Sequence, residues 1–243
     1  AIAPRKNVIA VVSLRGGAGG TTLAVNLAMW EARRGRRASL IDLSPVGGHI
    51  PLHLHLATPQ HWGALLGMRS APDPAEVLPL LTVHPQSQVA VLAAPPAPTV
   101  DRLSAPVVQA MVRALSTHTA RVVIDLPVLD AASAAALPLA GTVIVVLSDD
   151  ACSVQTVQHL LGVLPALGVA RERIGVVLCH VRPTAEIPVE TIRKTLKQPL
   201  IAEIPYQVEQ IAAIRRGVPL VIAEPNGAYA QAVSHLAQMF EQV

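Results

Sequence analysis

A glycine-rich loop between an apolar strand and a helix is the feature that most limits how this chain can fold. Residues 8–14 form an apolar run with one serine, and residues 21–34 repeat apolar side chains at helical spacing. Glycines allow successive backbone N–H groups to converge on an anion, and the helix N-terminus adds partial positive charge. The segment predicts a phosphate-binding loop rather than a flexible turn that binds nothing. The residues predicted to bind there are Arg15, Gly16, Gly17, Ala18, Gly19, Gly20, Thr21 and Thr22.

The two threonines at the end of this loop have two predicted roles. The hydroxyl of Thr21 or Thr22 can cap the first turn of the helix. A threonine at this point of a phosphate-binding loop can also ligate Mg²⁺.

Apolar runs of strand length alternate with helical patterns along the chain. This alternation predicts an α/β fold with a mainly parallel, twisted sheet and helices on both faces. Such sheets bind ligands at the carboxyl ends of their strands. The further strands are predicted at residues 38–43, 89–94, 121–126, 142–147, 174–179 and 200–204, and the further helices at residues 105–115, 153–164, 188–196, 208–216 and 228–242.

The composition favours one globular domain that covers residues 1–243. Hydrophobic residues make up 51% of the chain and charged residues 14%, which excludes a disordered chain and favours strands buried on both faces. Aromatic residues make up 2%, so a platform that stacks single-stranded nucleic acid is not expected.

The formal net charge of +3 gives no strong nucleic-acid signal. The clearest basic cluster has two interpretations: a patch for nucleic acid or anionic membrane, or the cationic end of the first helix, capped by Gly35. We favour the helix end, because so few charges within one turn make a small footprint. The cluster consists of Arg33, Arg34, Arg36 and Arg37.

The cysteines and the hydropathy pattern bear on where in the cell the protein is expected. Cys152 and Cys179 are the only cysteines and lie far apart, so we expect a reduced, cytoplasmic setting and no Cys-x-x-Cys metal site. No uninterrupted apolar, uncharged run reaches the length of a membrane-spanning helix. We therefore expect no direct membrane helix.

The loop and several later segments resemble those of the ParA/MinD family of deviant Walker A ATPases. The family loop reads K-G-G-x-G-K-[ST], which corresponds to residues 15–21. Residues 42–45 (D-L-S-P) match the family's D-x-D-P, and residues 122–127 (V-V-I-D-L-P) match its Walker B strand. Residues 204–206 (I-P-Y) and 217–220 (G-V-P-L) resemble its I-P-x-D segment and G-x-P-L tail. The resemblance extends over nearly the whole chain and implies the P-loop NTPase fold of the SIMIBI, MinD-like class.

The resemblance implies a site for ATP or ADP with Mg²⁺. Asp125 occupies the position of the Walker B aspartate, which holds the water shell of Mg²⁺ in the family. Thr21 occupies the position of the residue that ligates the ion directly. Asp42 stands at the first carboxylate of D-x-D and is the candidate catalytic residue. Residues 179–182 (C-H-V-R) stand where the family has its adenine-binding Asn. Backbone groups near Pro205 and Tyr206 are therefore the expected contacts of the base.

Within the family the chain is most similar to the CpaE/TadZ branch of Flp/Tad pilus-assembly and polar-localisation proteins. Loops of that branch also tend to read R-G-G-x-G with a small residue in place of the second lysine, and residues 48–54 and 91–96 resemble the branch too. The resemblance implies a homodimer that positions pilus or secretion proteins, cytoplasmic, and held at the cell pole or inner membrane through partners. It also implies a receiver-like N-terminal domain that precedes this chain.

Three positions depart from the family pattern. Gly20 replaces the lysine that reaches the β- and γ-phosphates, Arg15 replaces the signature lysine, and Ser44 replaces the carboxylate that orients the attacking water. One charge-assisted hydrogen bond is worth about 1.5–3 kcal/mol, or about one to two decades of affinity, so binding of a nucleotide is expected to survive. Catalysis depends on charge stabilisation in the transition state, so hydrolysis is expected to be weak or absent. A lysine restored at position 20 is expected to tighten ATP binding.

Other functions stay open. An active ParA-type ATPase that positions DNA or protein cargo would show turnover and salt-sensitive DNA binding, and Gly20, Ser44 and the modest charge argue against it. A metabolic ligase would need the P-loop lysine, and a cluster-carrying reductase would need more cysteines. A nucleotide-free interaction module is a further alternative.

Four histidines also crowd the segment after the second strand. Two of them, separated by one residue, would lie on one side of an extended strand, so a zinc site is conceivable there. Because no cysteine or acidic ligand accompanies them, we do not expect a metal centre. These residues are His49, His53, His55 and His61.

Overall fold

The computed structural model describes residues 2–196 and 198–241. Within these residues one eight-stranded sheet forms the centre of the molecule. The strands are β1 (Arg5–Val12), β2 (Ala38–Asp42), β3 (Thr82–Val83), β4 (Ala90–Leu92), β5 (Arg121–Leu126), β6 (Ala140–Ser148), β7 (Ile174–Cys179) and β8 (Leu200–Ile204). Their order in the sheet is β3-β4-β2-β5-β1-β6-β7-β8. The pair β3–β4 is antiparallel and all other pairs are parallel.

Helices connect the parallel strands, as a parallel sheet requires. The helices are α1 (Gly20–Arg33), α2 (Ile50–His53), α3 (Pro74–Val77), α4 (Ala105–His118), α5 (Ala131–Ala136), α6 (Ala151–Val163), α7 (Val189–Leu196), α8 (Glu209–Arg216), α9 (Leu220–Ala223) and α10 (Ala228–Met239).

Both faces of the sheet are covered by apolar side chains. In β1, Val8 and Val12 belong to the core under α4 and α6, whereas Ile9 and Val11 belong to the core under α1 and α10. This alternation follows from the two-residue period of a strand, and it explains why the central strands are apolar without interruption. The predicted α/β fold with a mainly parallel, doubly covered sheet is confirmed.

The predicted boundaries differ from the structure at several elements. The first strand ends at Val12 rather than at residue 14, and α1 begins at Gly20 rather than at Thr21. The short helices α2, α3, α5 and α9 were not predicted, because one or two turns leave too few residues for a helical period. The last helix was predicted to end at Gln242, which lies outside the described residues.

Two groups of charged residues hold α1 at its C-terminal end. Arg121 Nε donates to Glu31 Oε1 at 2.9 Å in a buried ion pair that ties α1 to β5. The guanidinium of Arg34 lies 4.8 Å from the ring centroid of Trp30, and Arg36 contacts Glu31 at 3.2 Å. With Gly35 at a φ of 75°, the arginine cluster forms the end of the helix, as the favoured interpretation predicted. No helix among the described residues is long and apolar enough to span a membrane.

Candidate functional site

The glycine-rich loop links the carboxyl end of β1 to α1. Gly17 and Gly19 have φ values of 81° and 92°, a backbone conformation that residues with a Cβ rarely adopt. Gly19 is the residue before α1, and its carbonyl accepts the backbone N–H of Leu23 at 2.9 Å. The loop therefore exposes backbone N–H groups at the N-terminus of a fourteen-residue helix, which is a site that favours an anion.

Thr21 binds a carboxylate instead of capping the helix. Its Oγ1 donates to Asp125 Oδ2 at 2.7 Å, and no side chain caps the first turn of α1. The second oxygen, Asp125 Oδ1, is buried and has no hydrogen-bond partner among the described residues. A hydroxyl beside a carboxylate with a free oxygen fits Mg²⁺ or its water shell, because hard divalent cations prefer oxygen ligands.

Two buried aspartates lie side by side at this edge of the sheet. Asp42 ends β2 and pairs in register with Asp125 on β5. Burial and, to a smaller extent, the charge of Asp42 together raise the pKa of Asp125 to about 8, against the lowering effect of the Thr21 hydrogen bond. Burial also raises the pKa of Asp42, to about 6, although backbone N–H groups partly offset the effect. A cation bound here would reverse these shifts by favouring the carboxylates.

Asp42 organises the segment that follows β2. Its Oδ1 accepts the N–H of Ser44 at 3.0 Å, and its Oδ2 accepts the N–H of Ile50 at 3.3 Å. The hydroxyl of Ser44 donates to the carbonyl of Gly47. Both oxygens of Asp42 are thus engaged by backbone in a buried position, and its catalytic role stays a prediction.

Gly20 lies directly against Ser13. A Cβ placed on Gly20 would be 2.2 Å from Ser13 Cβ, which no pair of carbon atoms tolerates. The lysine expected to tighten ATP binding at position 20 therefore cannot be added alone without displacing the end of β1. A fair test of that expectation needs Ser13→Gly in the same chain.

Arg15 contacts Asp150, the residue that precedes α6. Its Nε lies 3.6 Å from Asp150 Oδ1, with the arginine side chain 43% exposed and the aspartate 8% exposed. Asp150 also accepts the Ser153 N–H at 3.0 Å and the Ser148 hydroxyl at 2.6 Å. The guanidinium is therefore held at the rim of the site by a fixed carboxylate, with part of its surface left to solvent.

The loop borders a cavity of about 390 Å³. All the loop residues predicted to bind phosphate, Arg15 to Thr22, line this cavity. The other walls come from the segment after β2 and from the end of β5, and among their residues only Ser44 was assigned a position in the site from the sequence. These additional lining residues are Ser13, Ser44, Val46, His49, His53, Pro127 and Val128.

A second cavity of about 260 Å³ begins on the other side of the loop. Gly17, Gly19 and Thr22 line both cavities, so the two adjoin at the loop. Pro205 and Tyr206, the predicted contacts of the base, line the second cavity. The remaining lining residues are Cys179, His180, Val181, Ile204, Gln207, Gln210, Ile211 and Tyr229.

The polar groups of the second cavity were not predicted. The side-chain oxygen of Gln210 is buried and has no hydrogen-bond partner within the described chain. Burial raises the pKa of Cys179 to about 12, so this thiol is neutral. A signal for Gln210 would have been its place one turn after the I-P-Y segment, on the first turn of α8.

His180 bridges two carboxylates beside this cavity. Its Nδ1 lies 2.8 Å from Asp149 Oδ2, and its Nε2 lies 2.8 Å from Glu203 Oε1. Burial alone would lower the pKa of His180, but the hydrogen bonds and charges of Glu203 and Asp149 raise it above its usual value. The bridge fixes the end of β7 to the end of β8.

The contact between Gly20 and Ser13 predicts that two lysine substitutions in the same loop have different effects on the free energy of unfolding. Gly20→Lys is expected to lower the free energy of unfolding by about 1–3 kcal/mol, because overpacking displaces neighbouring groups. Gly16→Lys adds the same charge where no atom lies within 4 Å of the new Cβ, and is expected to leave stability unchanged. Chemical denaturation of both variants checks this, and equal stabilities would contradict the described packing.

The raised pKa of Asp125 predicts that Asp125→Asn increases the free energy of unfolding relative to the wild type, and increasingly so as pH rises. Between the ordinary value of 3.8 and about 8, the folded chain keeps a proton that the unfolded chain releases. The free energy of unfolding of the wild type therefore falls as pH rises through this window, and Asn removes that loss. Without divalent ions, the variant is expected to gain about 4 kcal/mol on the wild type between pH 5 and pH 8.

Urea denaturation at the two pH values measures this difference. The matched control is Asp101→Asn, which changes an exposed aspartate and should follow the wild type. The same pH dependence for Asp125→Asn and the wild type would show that Asp125 is ionised in the folded chain.

The chain is similar to proteins of one family over most of its length. Residues 9–220 match the CobQ/CobB/MinD/ParA nucleotide binding domain. The septum site-determining protein MinD of Thermotoga maritima is 26% identical over 226 residues, covering 88% of this chain and 80% of that protein. The cell division ATPase MinD of Pyrococcus furiosus has a TM-score of 0.79 at 22% identity, covering 98% of this chain and 99% of that chain.

A second similar solved structure is a nucleotide complex. The septum site-determining protein MinD of Pyrococcus horikoshii, complexed with Mg-ADP, has a TM-score of 0.79 at 22% identity, covering 97% of this chain and 96% of that chain. These likenesses agree with the eight-stranded sheet and with the position of the loop after β1. The chain belongs to the CobQ/CobB/MinD/ParA nucleotide-binding domain family.

Proposed function

We propose that this chain binds ATP and ADP with Mg²⁺ and hydrolyses ATP slowly or not at all. The observation that carries the proposal is the Thr21–Asp125 hydrogen bond beside the glycine-lined cavity, together with the unpartnered Asp125 Oδ1. It provides a hydroxyl and a carboxylate for the ion next to backbone N–H groups for phosphate. The Mg-ADP complex of the Pyrococcus horikoshii relative supports the same ligand class.

The second cavity supports a nucleotide rather than phosphate alone. It adjoins the phosphate cavity at Gly17 and Gly19, so a base placed there stays connected to phosphates at the loop. Pro205 and Tyr206 provide apolar surface, and Gln210 provides an amide that can donate and accept hydrogen bonds. Such mixed apolar and polar walls are typical of small-molecule sites.

Two departures in the phosphate cavity support weak hydrolysis. Position 20 carries no cation for the β- and γ-phosphates, and the hydroxyl of Ser44 is occupied by the carbonyl of Gly47. The carboxylate nearest in sequence, Asp42, is engaged by two backbone N–H groups. The charge and the water-orienting group that speed phosphoryl transfer are thus weakened together.

We propose that the chain acts as a homodimer. Apolar side chains project to solvent near the phosphate cavity, where Val46 lines the cavity rim and Val100 is 97% exposed. The Thr99 N–H donates to the carbonyl of Pro45, which joins the two loops into one surface. Surface of this kind beside a ligand favours a protein partner, and a second copy would also meet Arg15.

The cellular role we propose is positioning pilus (Flp/Tad) or secretion machinery, with the protein in the cytoplasm and held at the cell pole or inner membrane by partners. The support is the R-G-G-A-G-G loop, which combines Arg15 with a small residue at position 20. A loop that binds nucleotide without fast turnover suits a scaffold more than a motor.

Two alternatives have specific signatures. An active ParA-type ATPase would release phosphate at a rate that rises with DNA or a cargo protein. A nucleotide-free interaction module would leave the cavities empty at millimolar nucleotide. The intact backbone loop favours binding over the second alternative, and Gly20 favours slow turnover over the first.

Calorimetric titration with ATP and ADP, each with and without Mg²⁺, tests the proposal. We expect micromolar binding that requires Mg²⁺, with no phosphate release over hours. Thr21→Val keeps the shape of the side chain but removes the hydroxyl, so it should abolish the Mg²⁺ dependence. Absence of heat with both nucleotides, or turnover at a rate typical of active ATPases, would contradict the proposal.

A further inference from the structure

The wall of the phosphate cavity formed by residues 44–53 carries two imidazoles. His49 and His53 line this cavity together with the glycine loop. His49 is exposed at its rim and His53 is half-buried. Neither His55 nor His61 lines it, although both lie in the same part of the sequence.

A buried carboxylate fixes this wall. Asp42 accepts the N–H groups at both ends of the turn, from Ser44 and Ile50, so the backbone around His49 is held from within. Gly48 makes this possible, because a Cβ on it would lie 2.7 Å from Asp42 Oδ2. Its N–H also donates to the carbonyl of Pro95 at 3.2 Å. The two histidines are therefore presented by a built turn rather than by a free loop.

The cavity lacks positive charge for the ligand it is proposed to bind. Among its lining residues Arg15 is the only lysine or arginine, and this side chain is already paired with Asp150. Asp42 and Asp125 add carboxylates close by. A nucleotide's terminal phosphates would need further donors, and the two imidazoles are the remaining side chains of the lining that can carry positive charge.

We propose that His49 and His53 donate hydrogen bonds to the terminal phosphates of the bound nucleotide, in place of the lysine absent at position 20. The inference rests on the proposed nucleotide binding and names the residues that complete it. It gives the segment after β2 a function in ligand binding, whereas the loop alone would provide backbone N–H groups, two threonine hydroxyls and Arg15. AMP, which lacks the terminal phosphates, would gain little from the two histidines.

Protonation adds a second readout. Burial, followed by the charge of His49, lowers the pKa of His53 to about 4, so His53 is neutral in the empty cavity near pH 7. Phosphate favours the imidazolium, so binding takes up protons and is expected to tighten as pH falls from 8 to 6. Asp125 titrates in the same window with the opposite effect on Mg²⁺ binding, so the informative quantity is the difference in pH dependence between wild type and variant.

The other charged or titratable groups on this segment and on the elements packed against it are His55, Arg15, Asp42, Asp125, Asp150, Glu31, Arg33, Glu209, Arg215 and Arg216.

Calorimetric titration of His49→Gln, His53→Gln and the double variant with Mg-ATP and with AMP tests the proposal. We expect each single change to weaken Mg-ATP about tenfold and the double change about a hundredfold, with AMP affinity unchanged. The pH dependence should also be smaller in the double variant. His159→Gln, an exposed histidine on α6 outside both cavities, is the matched control.

Rescue separates a direct role from a structural one. Adding Ser13→Gly and Gly20→Lys to the double variant should restore Mg-ATP affinity, because the lysine then supplies the missing charge. Wild-type binding with an unchanged double variant would overturn this inference and leave the proposed function standing. No binding by the wild type would overturn both. Thermal unfolding of His49→Gln, whose side chain is exposed, establishes that a loss of affinity is not a loss of fold.

Discussion

The hydrogen bond between Thr21 and Asp125 joins the two parts of the fold that a phosphate site needs. Thr21 belongs to the first turn of α1 and Asp125 to the end of β5, so the bond fixes the glycine loop above the carboxyl edge of the sheet. The buried pair of Glu31 and Arg121 holds the opposite end of α1 to the start of β5. Between these two contacts, apolar packing leaves the helix little freedom, and the loop N–H groups keep a constant direction.

Glycine at position 20 changes how the site can acquire charge. Gly20 packs against Ser13 so closely that no side chain fits, and the two buried aspartates give the site carboxylates without a matching lysine. Charge and hydrogen-bond donors for the phosphates must therefore come from Mg²⁺, from Arg15 at the start of the loop and, as proposed above, from the histidines after β2. This distribution suits a protein that binds nucleotide and releases it intact more than one that turns it over.

Much of the fold and of the phosphate site could be predicted, because these features depend on local sequence patterns. The glycine loop, the alternation of strands and helices, and the aspartates at strand ends require only neighbours in sequence and the rule that parallel strands bind ligands at one edge. What could not be predicted depends on distant contacts. The hydroxyl of Thr21 was expected at the helix cap as well as at the ion, and the wrong alternative was excluded only by Asp125. His49 and His53 reach the cavity because Asp42 holds their turn, and the contact of Gly20 with Ser13 arises from packing.

We propose that a phosphate loop without its lysine still binds the phosphates of a nucleotide with Mg²⁺. The decisive measurement is a crystal structure of the chain with Mg²⁺ and a non-hydrolysable ATP analogue. We expect phosphates within hydrogen-bond distance of the loop N–H groups, Mg²⁺ beside Thr21 and Asp125, and the base between Tyr206 and Gln210. An analogue bound elsewhere, or empty cavities at saturating analogue, would contradict it.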